Sequence, residues 1–486
     1  MDPHARMTAR PILMWFRRDL RLQDNPALEA ARISGRPIVP VYIRDPHLEG
    51  RAIGAASEWW LDKSLRALSS DIAERGGCLI LRHGDSEAEL HRLVEETGAE
   101  ALVFNRLYEP DARARDRDVA HALSGAGVEV TSFNGSLLAE PEAVKTGGGG
   151  AYRVFTPFRR ALMAQMQTPP LCSAPERFAP AEIGSDDLAD WRLHPSAPDW
   201  TQGFDWRPGE AAALAELDRW GADAFADYQH GRDKPSGSAS SRLSPRLHWG
   251  ELAPWRVLQT VQVAARNGAA PFEAAEKFTS EVAWRDFSIH LLHHFPSIEH
   301  SAFRPAYDDM PWRDDSEGLD AWKTGRTGYP LVDAGMRQLW TTGWMHNRVR
   351  MVTASFLIKH LLIDWREGER WFWDTLVDAD RANNLINWQW VAGSGPDATP
   401  FFRIYNPVAQ GEKFDAEGRY VRRWLPELAQ LPNRWLHAPW TAPEAVLADA
   451  GVRLGVDYPE PIVDHAEARA RALEALKSLP KARADD

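Results

Sequence analysis

The segment from Asp378 to Pro407 carries the side chains with the clearest potential for chemistry. It reads DADRANNLINWQWVAGSGPDATPFFRIYNP and combines three acids, an Asn pair, two Trp residues and a Gly/Ser/Pro turn. No simple helix or strand period accounts for this mixture, so packing alone explains it poorly. Acids and amides can bond the edge of a large, flat, polar molecule while rings line its faces. A second block of the same character, TGWMHNRVRM, runs from Thr342 to Met351.

Glu281, Trp284 and Arg285, in SEVAWRDF, are spaced by three and four residues, which places them on one face of a predicted helix. A carboxylate, an indole ring and a guanidinium on one face can bond a base edge, stack on the base and pair with a phosphate. A salt-bridged surface patch is the alternative that these three residues leave open.

Two further groups have a spacing that suits binding. Asn347 and Met351 lie one helical turn apart, and Arg350 lies beside them. The segment SSRLSPRL, from Ser240 to Leu247, offers hydroxyl and backbone N–H groups at a loop-to-helix junction, which suits an anion. A plain helix N-cap is the alternative for this segment.

The composition limits the class of protein. The 486 residues are 44% hydrophobic and 26% charged, with a net charge of −12 that argues at first against nucleic acid. Between residues 339 and 424, however, 11 Arg and Lys balance 10 Asp and Glu, and local patches set the attraction to phosphate. The two cysteines, Cys78 and Cys172, are too few for a disulfide scaffold or a four-Cys cluster, and we predict no metal site.

The same numbers bear on location. No apolar run approaches the ~18 residues that a membrane span needs, and residues 1–11 contain no apolar signal region. We therefore predict a cytoplasmic protein that does not contact membranes, and we expect a monomer.

The order of elements predicts the fold class. Short apolar runs, interpreted as parallel strands, alternate with amphipathic helical patterns at Ser57–Ser69 and Glu87–Thr97. The predicted strands are Ile12–Phe16, Ile38–Ile43, Cys78–Leu81, Ala101–Phe104 and Val128–Phe133. No G-x-G-x-x-G follows a strand, so NAD is not expected.

We predict a Rossmann-like α/β domain over 11–135 and a Gly/Pro-rich linker over 136–208 with one helix at Thr156–Gln167. An all-helical domain is predicted to follow over 209–475. Its predicted helices are Ala211–Trp220, Pro271–Phe295, Asp333–Trp340 and Arg348–Trp365.

These motifs, together with WFRRDLRLQDNPAL at Trp15–Leu28, resemble the DNA photolyase and cryptochrome family over nearly the whole chain. The resemblance implies an FAD enzyme that uses light to repair cyclobutane pyrimidine dimers in UV-damaged DNA by electron transfer to a flipped-out dimer. The alternatives are a cryptochrome-type blue-light photoreceptor and a non-photochemical flavin or nucleotide-binding module.

The resemblance also implies residue roles. The implied FAD contacts are Tyr228, Ser240, Ser241, Arg242, Leu243, Ser244, Arg350, Asp378, Ala379, Asp380 and Asn384. The implied lesion and DNA contacts are Glu281, Trp284, Asn347, Met351, Arg232, Arg285, Arg348, Trp390 and Gln410. Trp388, Trp365 and Trp312 match the electron-transfer chain of the family.

Two details separate the subfamilies. Photolyases for (6-4) photoproducts carry two histidines at the positions of Asn347 and Met351, so this pair favours cyclobutane dimers. Asn384, or Asn383 in its place, matches the residue that faces flavin N5. An amide there serves either protonation state of that nitrogen, whereas plant photoreceptors of the family carry Asp.

Photolyases can hold a second, light-harvesting chromophore, the antenna. The residues of this chain that match its binding site depart from the pattern of the enterobacterial photolyases. That pattern has Asn-Glu where this chain has Asp111-Ala112, and Cys-Lys where it has Glu299-His300. The segment Gly54–Leu65 instead resembles bacterial photolyases that hold methenyltetrahydrofolate differently. We expect that folate rather than 8-hydroxy-5-deazaflavin, and the absence of any antenna stays open.

Overall fold

A computed structural model describes residues 10–46, 51–166, 168–397 and 402–480. Most of the N-terminal segment in which no export signal was found lies outside these residues. Within them, no helix combines the length and apolarity that crossing a bilayer would require.

The N-terminal part is built on a parallel sheet, as the sequence predicts. Within the described residues this sheet has five strands in the order β3-β2-β1-β4-β5. The strands are β1 (Ile12–Phe16), β2 (Ile38–Arg44), β3 (Ile80–His83), β4 (Ala101–Asn105) and β5 (Glu129–Phe133). The largest boundary difference is at β3, which begins two residues later than predicted and ends two residues later.

Both faces of this sheet are covered, because successive side chains of a strand point to opposite sides. Leu13 and Trp15 belong to one apolar cluster, and Met14 and Phe16 belong to the other. The covering helices are α1 (Pro26–Ile33), α2 (Ala55–Ala73), α3 (Ser86–Thr97) and α4 (Pro110–Gly125). The doubly wound α/β class is therefore confirmed.

The predicted linker is ordered against both halves of the molecule. Helix α5 (Phe155–Gln165) lies within it and buries Phe158 and Leu162 in the helical part. Farther along, Trp191 and Trp206 pack into the cluster on the sheet.

The described residues after the linker are mainly helical, as predicted. Their helices are α6 (Glu210–Asp223), α7 (Tyr228–Gly231), α8 (Ser244–His248), α9 (Pro254–Arg266), α10 (Phe272–His294), α11 (Ser316–Lys323), α12 (Pro330–Thr342), α13 (Asn347–Ser355), α14 (Trp365–Thr375), α15 (Arg381–Ala392), α16 (Pro407–Phe414), α17 (Arg419–Trp424), α18 (Asn433–Leu436), α19 (Glu444–Asp449) and α20 (His465–Ser478).

The single helix predicted over Arg348–Trp365 is wrong. Helix α13 continues as a π-helix over Phe356–His360, Leu362 then takes a left-handed conformation with φ of 56°, and α14 begins anew at Trp365. Asp364 caps this new helix by accepting a hydrogen bond from the backbone N of Arg366 at 2.9 Å. The break escaped prediction because Leu361, Leu362 and Ile363 are buried, so the apolar pattern runs through the turn.

Glu251 ties the helical part to the α/β part. Its carboxylate is fully buried and accepts hydrogen bonds from Trp60 Nε1 at 3.0 Å and from the hydroxyl of Ser64, both on α2. It also accepts from the backbone N of Gly209 at 2.7 Å and from Nη1 of Arg246 at 2.6 Å. A buried carboxylate with four donors holds those donors in one arrangement.

We predict that Glu251→Gln lowers the free energy of unfolding by about 3–5 kcal/mol, because removing one charge of a buried pair leaves the other uncompensated. Urea unfolding followed by circular dichroism measures this change. The exposed Glu444→Gln on α19 is the control and should stay within about 0.5 kcal/mol of the wild type. Equal midpoints for the two variants would refute the role of Glu251.

Candidate cofactor and nucleic-acid site

Helix α15 forms the centre of the candidate site. Asp380 caps its N-terminus by accepting hydrogen bonds from the backbone N and the side-chain amide of Asn383, at 2.9 and 2.8 Å. Gly393, with φ of 92°, ends the helix in a conformation that favours glycine. Helix α15 packs against α10, α13 and α14, so it brings Asn384 close to the elements that carry the other predicted residues.

Asp378 offers an unused hydrogen-bond acceptor inside the protein. Its Oδ2 accepts from Nη2 of Arg350 at 2.8 Å, so two of the implied FAD contacts are bonded to each other. Its Oδ1 is buried and has no hydrogen-bond partner in the described structure. Buried polar atoms are nearly always bonded, so this oxygen fits the polar edge of a bound ring system such as the flavin of FAD.

Asp380 faces a second polar region, between the two domains. His248 Nδ1 lies 3.5 Å and Arg18 Nη1 4.0 Å from its Oδ2. Burial alone raises the pKa of this carboxyl, but His248, Arg18 and Arg285 together bring the pKa well below its ordinary value. Asp380 is therefore held as a carboxylate.

A small cleft, partly open to solvent, lies beside Asp380. Arg18 and Asn105 line it at the carboxyl ends of β1 and β4, and His248 and Arg285 line it from the helical side. The strand order reverses between β1 and β4, which is where open α/β sheets bind ligands.

Asn384 is buried, and its amide has one defined orientation. Its Nδ2 donates to the backbone O of Glu369 at 3.0 Å and to Oε1 of Glu369 at 2.7 Å. Both protons of the amide are thereby used, so the atom it can present to a ligand is Oδ1. Glu369 was not among the predicted site residues, although it shares the buried stripe of α14 with Trp365, Phe372 and Trp373. A carboxylate on such a stripe is the signal that could have revealed it.

Glu281 and Trp284 lie on α10, the helix that their spacing predicted. Glu281 forms ion pairs with Nη1 of Arg232 and, at 3.3 Å, with Lys277. Trp284 stacks on Phe155 of α5, with 3.6 Å between ring centroids and 8° between planes. Arg232 and Glu281 were predicted from the sequence as separate contacts with DNA. The structure instead pairs them, so a change of charge at one residue alters the electrostatic environment of the other.

Two of the predicted DNA contacts already have protein partners. Arg285 donates from Nη1 to the backbone O of Ser136 at 2.5 Å, so it faces the linker and the cleft. Arg348 donates to Asp233 Oδ1 at 2.9 Å and lies over the ring of Phe414. Their contacts with DNA stay predictions.

The remaining predicted contacts differ in exposure. Asn347 is exposed at the start of α13, whereas Met351, Trp390 and Gln410 are half-buried. The side-chain oxygen of Gln410 is buried and has no partner in the described structure.

The serine-rich segment approaches α8 without a side-chain cap, so the alternative of a plain N-cap is wrong. Arg242 has a φ of 55°, unusual for a residue with a side chain, and its guanidinium lies 4.1 Å from the ring of Trp206. Ser244 is exposed and accepts from Trp344 Nε1 at 3.3 Å. Ser240 and Ser241 are half-buried, Leu243, Tyr228 and Ala379 are buried, and their contacts with FAD stay predictions.

The three predicted electron-transfer tryptophans share one apolar cluster. Trp388 and Trp365 are each 2% exposed, and Trp312 packs against the cluster from a half-buried position. The ring of Trp388 contacts Phe372 at 5.0 Å and Trp322 at 6.2 Å. Two of the three rings are thus buried and one is half-buried, and electron transfer among them stays a prediction.

Asp111 and Glu299, two of the positions that depart from the enterobacterial antenna pattern, both pair with Arg381. Arg381 donates from Nη1 to Asp111 at 3.1 Å and from Nη2 to Glu299 at 2.8 Å. This ion triad spans the two domains where the enterobacterial pattern has its folate ligands.

Comparison with known proteins gives a consistent result. A family model described as DNA photolyase matches residues 12–176, and one described as the FAD binding domain of DNA photolyase matches residues 278–478. The deoxyribodipyrimidine photo-lyase of Agrobacterium fabrum is 49% identical over 475 residues, which cover 97% of this chain and 98% of that protein.

More distant and structural matches agree. Cryptochrome-1 of Arabidopsis thaliana is 39% identical over 96% of this chain and 70% of its own length. The crystal structure of a bacterial class III photolyase from Agrobacterium tumefaciens has a TM-score of 0.95 at 48% identity, covering 98% of this chain and 99% of that one.

His346 makes the stability of the folded protein depend on pH. Its buried ring caps α13, with Nδ1 accepting from the backbone N of Arg348 at 3.2 Å, which requires a neutral imidazole. Burial lowers its pKa from 6.5 to about 4. The positive charges of Arg232 and Arg348 add to this lowering, and the negative charge of Asp233 opposes it. Because the unfolded chain binds the proton more readily, this contribution to stability is lost as the pH falls from 6.5 towards 4.

We predict that His346→Asn, which retains a capping side chain but does not titrate, is less stable than the wild type at neutral pH and approaches it at pH 4.5. Denaturant unfolding of both proteins across this range measures the difference. A difference in unfolding free energy that does not change with pH would contradict the prediction.

Proposed function

This chain belongs to the DNA photolyase family, and we propose that it is a deoxyribodipyrimidine photolyase that repairs cyclobutane pyrimidine dimers with blue light. The finding that carries the proposal is the packing of α15 against both α10 and α13. Asn384 of α15, Glu281 and Trp284 of α10, and Asn347 of α13 therefore lie on adjoining helices. One molecule bound on α15 can be reached from both neighbouring helices.

FAD is the cofactor that we assign to this site. When bound and reduced, FAD supplies the electron that splits the dimer under light. We propose that Asp378, with its free Oδ1, accepts from the polar edge of the flavin while Arg350 keeps that carboxylate in place. Asn384 directs Oδ1 towards flavin N5, and Tyr228, Ser240 to Ser244, Ala379 and Asp380 complete the contacts with the cofactor.

We propose that the dimer enters flipped out of the duplex, a step whose cost is lower for damaged bases. Glu281, Asn347 and Met351 contact its edge, and Trp284 stacks on its face. The stack of Trp284 on Phe155 supports this role because it fixes the indole plane before DNA binds.

Phosphate contacts are assigned to Arg232, Arg285 and Arg348, with Trp390 and Gln410 at the rim of the site. Asp233 and Glu281 hold two of these guanidiniums at a partly buried surface. A phosphate that approaches must compete with these acids, so we expect modest affinity for undamaged DNA and a strong dependence on salt.

Two finer assignments complete the proposal. We propose that Trp388, Trp365 and Trp312 carry electrons between the cofactor and the surface. We propose methenyltetrahydrofolate, rather than 8-hydroxy-5-deazaflavin, as an antenna held near Gly54–Leu65, since Arg381 with Asp111 and Glu299 occupies the enterobacterial position. A monomeric state and a cytoplasmic location remain predictions.

The test of function is repair of a thymine-dimer oligonucleotide by anaerobically reduced protein under blue light, beside a dark control and a (6-4) oligonucleotide. We expect light-dependent repair of the cyclobutane dimer alone. A protein that holds FAD but repairs neither lesion would instead be assigned as a light sensor of the cryptochrome type, a class to which some of its relatives belong.

We predict that Trp284→Ala weakens binding to dimer-containing DNA by about 1–3 kcal/mol, the usual value of stacking one base on an aromatic ring. Fluorescence anisotropy with a labelled duplex measures the dissociation constant. Trp200→Ala, which alters a stacked tryptophan of the linker, is the matched control and should bind as the wild type does. Identical constants for the wild type and Trp284→Ala would remove Trp284 from the site.

A further inference from the structure

Arg51 connects the α/β domain to the interior of the helical domain. It lies in the segment before α2, and its guanidinium donates to both carboxylate oxygens of Glu369 on α14, from Nη2 to Oε1 at 2.7 Å and from Nη1 to Oε2 at 3.1 Å. The Glu369 side chain is 5% exposed. The planar group of Arg51 also lies 3.6 Å from the ring of Trp373, so stacking fixes its orientation.

The surrounding backbone holds this segment against α14. Trp373 Nε1 donates to the backbone O of Ala52 at 2.9 Å, and the backbone N of Ala55 donates to Asp374 Oδ1 at 3.0 Å. Gly54 approaches so closely that a Cβ atom there would lie 2.1 Å from the backbone O of Trp373. The position of Arg51 therefore depends on the docking of the two domains.

Glu369 in turn sets the orientation of the Asn384 amide. The backbone O of Glu369 can only accept hydrogen bonds, and Oε1 accepts beside it, so Asn384 turns its Nδ2 towards both atoms. A bidentate guanidinium fixes the position of the carboxylate that it binds. Without Arg51, Oε1 of Glu369 would no longer be held where Nδ2 of Asn384 reaches it, and the backbone O of Glu369 alone would orient the amide.

We propose that Arg51 is a positioning residue that acts through Glu369 to hold the Asn384 amide with Oδ1 towards the cofactor. This inference rests on the proposed function, in which Asn384 faces flavin N5. An acceptor at that place stabilises a proton on N5. Docking of the α/β domain thereby tunes the affinity of the bound flavin for this proton.

The experiment compares the wild type with Arg51→Gln, using holoprotein reconstituted with FAD. The readout is the pH at which the one-electron-reduced flavin changes its absorption spectrum on uptake of the N5 proton. We expect this midpoint to fall by about 1 pH unit in Arg51→Gln, at the lower end of shifts caused by one charge pair. Arg370→Gln, which alters an exposed ion pair of the same helix, is the matched control and should leave the midpoint unchanged.

A double-mutant cycle separates this role from a merely structural one. In a Glu369→Gln background, Arg51→Gln should cause no further shift of the midpoint. Arg51→Lys, which keeps the charge but loses the planar fork, should show an intermediate value and serves as the test if Arg51→Gln does not fold. A midpoint equal to that of the wild type in the variant tested would overturn the inference.

The outcomes also distinguish this inference from the proposed function. If the wild type binds FAD and repairs dimers while Arg51→Gln titrates as the wild type does, only the role of Arg51 fails. If the wild type cannot be reconstituted with FAD, the proposed function and this inference fail together.

Discussion

The buried carboxylate of Glu251 accepts hydrogen bonds from α2 on one side and from Gly209 and Arg246 on the other. Moving either partner would leave donors and a charge without compensation inside the protein, which is expensive. This constraint fixes the relative position of the two halves of the molecule. The cleft beside Asp380 and the contact between Arg51 and Glu369 both lie across the same boundary, so each depends on that position.

The acids of the candidate site follow the same principle, but each has a different partner. Asp378 pairs with Arg350, Asp380 lies near Arg18, and Glu369 pairs with Arg51. Acids that are neutralised in the interior contribute little to the field that approaching DNA meets. The net charge of −12 is therefore a poor guide to nucleic-acid binding in this chain.

Sequence patterns revealed the features that depend on local periodicity. The alternation of apolar residues predicted the five strands, and spacing predicted α10. No helical period was found in the segment from Asp378, yet α15 forms there over Arg381–Ala392. The turn at Leu362 escaped because its residues are as apolar as the helices beside it. The pairing of Arg232 with Glu281 and of Arg51 with Glu369 escaped for another reason: 49 and 318 residues separate the partners, and no local pattern encodes such contacts.

The proposed cofactor site and the hydrophobic core share helix α15. Leu385 and Trp388 pack into the core, Asn384, one turn before Trp388, donates to Glu369 of α14, and Asp380 at the cap faces the interdomain cleft. A rotation of α15 that improved one of these contacts would disturb the others. The orientation of Asn384 is thus maintained by packing as well as by Glu369, and Arg51 acts on an amide whose backbone is already fixed. For this reason a change at Arg51 should alter the hydrogen-bonding character of the site while leaving its shape intact.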